Sequence, residues 1–210
     1  MENIIFYKFI ENLRIKLNEE LPGKNAQNKM APAFRVPPDF IKKNQTPRKS
    51  AVLIIFYPKN EEVNIIFIKR IEDGKAHSGQ VAFPGGKFEE SDISLLNTSI
   101  RETFEEIGVK IDVNSIIGKL TPIYIPVSNY DVTPYIAFLN SEPEYIISND
   151  EVQRVVTVNI NNLLNTNNLA TATLDRGSYL VEAPFYRIDD DMIWGATAMI
   201  LSELNEIISK

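Results

Sequence analysis

Three glutamates whose spacing suits chemistry, Glu102, Glu105 and Glu106, stand within five positions of one another. On a helix, at 100° per residue, their side chains share an arc of about 100°. That placement is locally unfavourable. Like charges at i,i+4 (Glu102 and Glu106) cost roughly 0.2–0.5 kcal/mol. Anions in the last turns also oppose the helix dipole, by about 0.3–1 kcal/mol at exposed sites. Arg101 offsets part of this. An isolated E-x-x-E-E is ordinarily a solvated acidic face. Here the cluster follows a Pro84-Gly85-Gly86 turn and an acidic loop with Glu89, Glu90 and Asp92. A broken local rule beside such a turn marks a functional site, and a hard divalent cation such as Mg²⁺ would supply the missing compensation.

The elements that must hold these residues follow from the neighbouring pattern. Val81, Ala82 and Phe83 form a short apolar run ending at the glycine pair, whose lack of Cβ permits positive φ and close backbone approach. A helix is predicted over residues 93–107, capped by Ser91 or Asp92 and stopped at Gly108. Leu96, Ile100, Phe104 and Ile107 lie within about 80° of arc and are the expected buried stripe.

The segment from Arg101 to Val109 (RETFEEIGV) resembles the second half of the Nudix hydrolase signature, G-x5-E-x7-R-E-U-x-E-E-x-G-U with U apolar. Counted from Gly86, x5 reaches Asp92 instead of Glu, and eight residues instead of seven separate it from Arg101. That one-residue insertion is similar to the coenzyme A pyrophosphatase branch. The branch also carries L-L-T-x-R-[SA]-x3-R-x3-G-x3-F-P-G-G upstream. The present chain has Ile66-Phe67-Ile68-Lys69-Arg70-Ile71, then Lys75, Gly79 and Phe83-Pro84-Gly85-Gly86, in the same spacing. Ile71 replaces Ser or Ala, and Lys75 replaces the second Arg, which removes a bidentate fork.

The resemblance implies an α/β protein, a Nudix-like α/β/α sandwich around a mixed β-sheet. It also implies Mg²⁺- or Mn²⁺-dependent hydrolysis of a nucleoside diphosphate linked to another moiety. The leading substrate is coenzyme A or an acyl derivative, giving 3′,5′-ADP and a phosphopantetheine. A pyrophosphatase for ADP-ribose, NADH or another dinucleotide is the alternative, and a nucleotide-sensing module that does not cleave is the second. Glu102, Glu105 and Glu106 are the implied metal ligands, and Arg101 orients the acidic loop. Arg70, Lys75, His77, Gly85 and Gly86 are the candidate substrate contacts. Glu151, on the loop Asn149-Asp150-Glu151-Val152, is a candidate ligand or base, and the base stays open among Glu106, Glu102 and Glu151. A homodimer is compatible with the family.

At 210 residues and 44% hydrophobic, the chain can bury a substantial core. The net charge of −6 argues against nucleic acid as a partner. The first fifty residues nevertheless hold ten Lys/Arg against five Asp/Glu, leaving twelve against twenty-three in the rest. No cysteine is present, so no disulfide framework, thiolate metal site or Cys nucleophile exists. No apolar run approaches the roughly 18 residues that span a bilayer, and no secretory signal is evident. These features point to a cytoplasmic protein.

Residues 1–49 are expected to pack on a domain spanning 50–210. Ile5, Phe9, Leu13 and Leu17 mark an amphipathic helix, and five prolines within residues 22–47 mark an extended crossing segment. Its basic residues (Lys42, Lys43, Arg48, Lys49) read as solvated, with substrate phosphates or a second subunit as the other possibility. Residues 51–57 and 63–69 form a buried β-hairpin around Pro58-Lys59-Asn60-Glu61-Glu62. Strands follow near 119–126 and 131–139, with Pro134 at an edge or bulge, and near 154–158, 179–183 and 185–188. Tyr130 reads as packing, with base stacking as its functional alternative. A short helix is expected in 161–168, and a last one over 196–208 buries Met199, Leu201, Leu204 and Ile207 or Ile208.

Overall fold

The computed structural model describes residues 3–34, 46–74, 77–175 and 180–210. The N-terminal part carries α1 (Ile4–Lys16), α2 (Gly23–Gln27) and β1 (Ala33–Phe34). Then come β2 (Arg48–Lys59), β3 (Glu62–Arg70), β4 (Val81–Ala82), β5 (Gly85–Lys87) and α3 (Leu95–Ile107). Past that helix lie β6 (Ile116–Lys119), β7 (Ile123–Ile125), β8 (Tyr130–Phe138), β9 (Val152–Asn159) and α4 (Ile160–Leu164). The chain closes with β10 (Leu169–Asp175), β11 (Leu180–Ile188), β12 (Asp191–Trp194) and α5 (Gly195–Ser209). The fold is α/β, with helices on a mixed sheet.

The central sheet has eight strands. Strand β2 is its axis because it is apolar on both faces. Leu53, Ile55 and Tyr57 enter one core with Ile107, Val109 and Ile111. Ile54 and Phe56 enter the other, with Phe6, Ile10 and Leu13 of α1 and Leu201, Leu204 and Ile207 of α5. Period-2 alternation thus sends successive residues into two layers. The β2–β3 hairpin turns at Asn60 and Glu61, both with positive φ, as a two-residue loop requires. It is tighter than the five-residue connection expected, and Pro58 lies inside β2 opposite Val63.

On its other edge β2 pairs in parallel with β8, from Arg48↔Tyr130 to Phe56↔Phe138. Strand β8 is therefore interior, which corrects the edge placement of Pro134. The proline is tolerated where the pairing of β8 with β7, which ends at Val132, gives way to its pairing with β6, which starts at Tyr135. There its carbonyl accepts the Leu120 N–H.

The second sheet has four strands, with β11 flanked by β10 on one side and by β1 and β12 on the other. Residues 185–188 and the described part of 179–183 are one strand through Pro184, and β10 adds a strand that the sequence pattern does not predict. In α5 the buried set includes Ile200 and Glu203, whereas Met199 is only partly covered. Glu203 is fully buried and accepts hydrogen bonds from Gln27, Thr121 and the Gly23 N–H, tying α2 to α5. No helix among the described residues is long and apolar enough to cross a membrane.

Candidate active site

Helix α3 is capped by Ser94, whose Oγ accepts the Asn97 N–H at 3.2 Å. Ser91 and Asp92 do not cap it. Asp92 is engaged elsewhere, accepting the Glu89 N–H, the Thr98 hydroxyl and two donors of Arg101. The helix is also turned by about 100° from the expected orientation. Thr98, Ser99, Thr103, Glu106 and Ile107 are buried, while Phe104 is 48% exposed. The hydroxyls make this possible, because Thr98 donates to Asp92 and Thr103 to the Ser99 carbonyl. Buried polar groups that are hydrogen-bonded in this way carry little penalty.

That rotation carries the carboxylates towards the glycine turn. Glu106, 1% exposed, accepts the Gly85 N–H through Oε2 at 2.8 Å. Arg70 Nη1, at the end of β3, lies 3.4 Å from Glu106 Oε1. A Cβ on Gly86 would stand 2.4 Å from the Glu102 carboxyl, and one on Gly85 would stand 2.3 Å from the Ala51 carbonyl. Only glycines allow the turn to lie between β2 and two glutamates.

Arg101 fastens the acidic loop to the helix. Its Nε and Nη2 bind Asp92 at 2.8 and 2.9 Å, and Nη2 also donates to the Lys87 carbonyl. Nη1 bridges Glu102 at 3.0 Å and Glu105 at 2.8 Å. The guanidinium holds the Asp92 carboxyl well below the usual carboxylate range, and Asp92 in turn raises Arg101.

The opposite shift appears at the glutamates. Burial pushes Glu106 up to about 8, against the opposing Gly85 N–H and Arg70, with the Glu102 and Glu151 charges adding to the rise. Glu102 is raised as well, by burial first, with Arg101 opposing. Desolvation and like charge thus act on the same pair.

The loop between β8 and β9 brings Glu151 into place. Gly108 ends the helix with left-handed φ, and the Ile146 and Ser148 N–H groups satisfy the Ile107 and Glu106 carbonyls. The Glu151 and Val152 N–H groups bond the Ser148 carbonyl, and the Ile71 N–H bonds the Glu151 carbonyl. One loop therefore ties the helix end, Glu151 and the end of β3 together.

These groups line one cleft of about 1220 Å³. Its wall includes Arg70, His77, Gly85, Gly86, Glu102, Glu106 and Glu151. Lys75 lies outside the described residues. His77 has a left-handed backbone (φ 69°), and its Nδ1 is 3.2 Å from Gln80 Oε1. Glu105 is not part of this wall, and its side chain is 55% exposed. The wall also holds Ser128 and, from outside the motifs, Ser50, Lys87 and Thr197.

Among the described residues no three acidic or histidine side chains converge into a closed cation cage. Mg²⁺ does not require one, because it keeps several waters and binds through one or two carboxylates plus substrate phosphates. The donors facing the cleft are carboxylate oxygens, and Glu102, Glu106 and Glu151 repel one another in all three pairs. A hard cation fits that donor set.

Comparison with known proteins bears on the same residues. The family model for the NUDIX domain matches residues 47–176. The chain is 29% identical over 164 residues to a protein of Yersinia pestis named uncharacterized Nudix hydrolase NudL, covering 78% of this chain and 81% of that one. Among solved structures it resembles a MutT/nudix family protein from Enterococcus faecalis, with a TM-score of 0.56 at 21% identity. That match covers 80% of this chain and 64% of the Enterococcus chain, so the present chain spans less than two thirds of that neighbour. A MutT protein from Methanosarcina mazei gives a TM-score of 0.52 at 16% identity, over 80% and 98% of the two chains. At these identities the structural likenesses concern the fold.

Proposed function

The chain belongs to the NUDIX domain family, and from that premise we propose that it is a divalent-metal-dependent pyrophosphohydrolase of the cytoplasm acting on a nucleoside diphosphate-linked substrate. Coenzyme A or acyl-coenzyme A is the proposed substrate, cleaved to 3′,5′-ADP and (acyl-)phosphopantetheine. The observation that carries the reaction is the meeting of Glu106 with the Gly85 N–H and Arg70 beside Glu102, at the wall of a cleft that also holds Glu151.

In this reading Glu102 and Glu106, with Glu105 beside them on α3, would hold Mg²⁺ or Mn²⁺, with Glu151 facing the same cleft. The bound ion would supply Lewis-acid polarisation of the diphosphate oxygens and a more acidic attacking water. The protein's own groups do the rest. Arg70 neutralises charge on the diphosphate, helped by His77 and Lys75. Gly85 and Gly86 let the phosphates approach the backbone. Arg101 keeps the acidic loop and α3 in one rigid unit and does not touch substrate. Water attacks one phosphorus, the bridging P–O bond breaks, and the proton of the water passes to a carboxylate.

Glu151 is the proposed base. Among the described residues it is the cleft carboxylate without a side-chain hydrogen bond. Glu102 accepts from Arg101, and Glu106 accepts from Gly85 and Arg70. Support for the substrate comes from the spacing of Arg70, Gly79 and the Phe83-Pro84-Gly85-Gly86 turn.

The test is hydrolysis of coenzyme A, acetyl-coenzyme A, NADH, ADP-ribose and diadenosine polyphosphates with Mg²⁺ or Mn²⁺. Coenzyme A compounds should lead the panel, and Glu102→Gln should abolish turnover of all of them. Wild-type turnover in that variant refutes the site. A dinucleotide or ADP-ribose ranking well above coenzyme A refutes the substrate.

A further inference from the structure

The cleft has a second end that the reaction above leaves unused. Arg48, Ser50 and Val52 alternate along β2, face the same side and all line the cavity. Val52 pairs with Gly85, beside Glu106, whereas Arg48 lies four residues along the strand, about 13 Å away. One diphosphate cannot reach both places, but a nucleoside with its long-chain contacts can.

Arg48 is held ready there. Its guanidinium carbon stands 4.1 Å from the centroid of the Tyr130 ring, and Nη2 donates to the Ser128 carbonyl at 2.8 Å. The parallel register places Tyr130 directly opposite Arg48, and the Arg48 N–H donates to the Asn129 carbonyl. Arg48 makes no ion pair among the described residues, whereas Lys49, Lys69, Arg70, Arg101 and Arg154 each do. Lys49 takes up Asp131, the nearest acid on β8. A fixed guanidinium on a cavity wall, with most of its five donors unused, is suited to an oxyanion. Ser128 Oγ, also on this wall, is buried with no hydrogen-bond partner. Lys87, opposite Ser50, adds a second positive charge.

We infer that this end of the cleft is the subsite for a phosphomonoester that the substrate carries in addition to its diphosphate, with Arg48 as the specificity-determining residue. The inference rests on the hydrolysis proposed above and sharpens it to nucleotide conjugates bearing a separate phosphate on the nucleoside. Tyr130 orients Arg48 by covering one face of the guanidinium, so stacking a base on that face of the ring is excluded.

Coenzyme A and 3′-dephospho-coenzyme A differ only in that phosphomonoester, and kcat/KM for both should be measured on wild type, Arg48→Ala and Arg48→Lys. Wild type should favour coenzyme A by roughly 10- to 100-fold, the range for a charge-assisted hydrogen bond. The ratio should fall towards one in Arg48→Ala, whatever change is common to both compounds. Lysine should restore part of it, keeping the charge without the fork. Circular dichroism checks folding, and Arg48→Gln replaces the alanine variant if that one misfolds.

Calorimetry of 3′,5′-ADP against 5′-AMP on metal-free protein gives a second readout, with the same preference and the same loss expected. A wild-type ratio near one, or a ratio kept in Arg48→Ala, overturns the subsite. Absence of hydrolysis of every diphosphate overturns the reaction instead, and the calorimetric preference still decides the subsite.

Discussion

At one end of the cleft Glu102, Glu106 and Glu151 are crowded against Arg70, the Gly85 N–H and one another, and burial pushes Glu106 up to about 8. At the other end Arg48 stands over Tyr130 with no acidic partner among the described residues. The first end is under electrostatic stress until a cation arrives. The second is relaxed, because a stacked guanidinium at the rim stays hydrated while it waits. Chemistry is placed where desolvation is severe, and recognition where it is mild. This division matches the general tendency of strongly shifted groups to mark reactive positions.

The largest expected effect breaks the stressed end. Glu106→Gln should lower kcat by roughly 10²–10³-fold, the scale of losing one preorganised electrostatic contact in a site. The same change should raise stability of the metal-free protein at alkaline pH. The sign follows from linkage: a carboxyl raised from 4.5 to about 8 contributes stability that is fully present below the unfolded value and is lost as pH rises through the folded one. Wild type should therefore lose stability between about pH 4.5 and 8, and the glutamine variant should lose less. Thermal melting across that range checks it. Parallel melting profiles would show that Glu106 is not buried as a strained carboxyl.

Gly86→Ala comes next. The added Cβ would lie 2.4 Å from the Glu102 carboxyl, so the carboxylate must move while the backbone φ needs no left-handed conformation. Activity should fall by about 10- to 100-fold, the loss typical of displacing a supporting contact. Melting temperature should change little. An enzyme assay paired with a melting curve separates displacement of Glu102 from simple misfolding.

The stressed end is more legible in the sequence than the relaxed end, where Arg48 and Tyr130 carry a functional role only as a second reading. Gly85, Gly86, Asp92, Arg101, Glu102 and Glu106 fall within one short stretch, where spacing on a turn and a helix fixes their neighbours. Even there the helix face was misassigned. Leu96, Ile100 and Phe104 form the apolar stripe, yet Ser99, Thr103 and Glu106 are buried, since hydroxyls can satisfy themselves on nearby carbonyls and acids. Periodicity weighs apolarity and has no term for that. Strand β10, Leu169–Asp175, escaped for the related reason that its alternation is between small and exposed residues, Ala170, Thr171, Ala172 and Thr173. Arg48 and Tyr130 are 82 positions apart and meet only through the parallel β2–β8 register, which no local pattern encodes.

The smallest expected effect sharpens the comparison within the relaxed end. Lys87 lines the same wall as Arg48, but it is exposed and lacks the stacking ring and the carbonyl that fix Arg48. A lysine on a flexible stem loses rotamer freedom on binding, and its contribution is screened by salt. Lys87→Ala should therefore raise KM for coenzyme A by only about threefold and leave kcat unchanged, the size expected of an exposed ion pair. Raising ionic strength should erase that difference while most of the Arg48→Ala defect persists, because Arg48 binds through positioned hydrogen bonds as well as charge. If Lys87→Ala were as damaging as Arg48→Ala, and as resistant to salt, total charge at the rim would outweigh prior fixation of the guanidinium. The contrast between a held cation and a loose one would then fail.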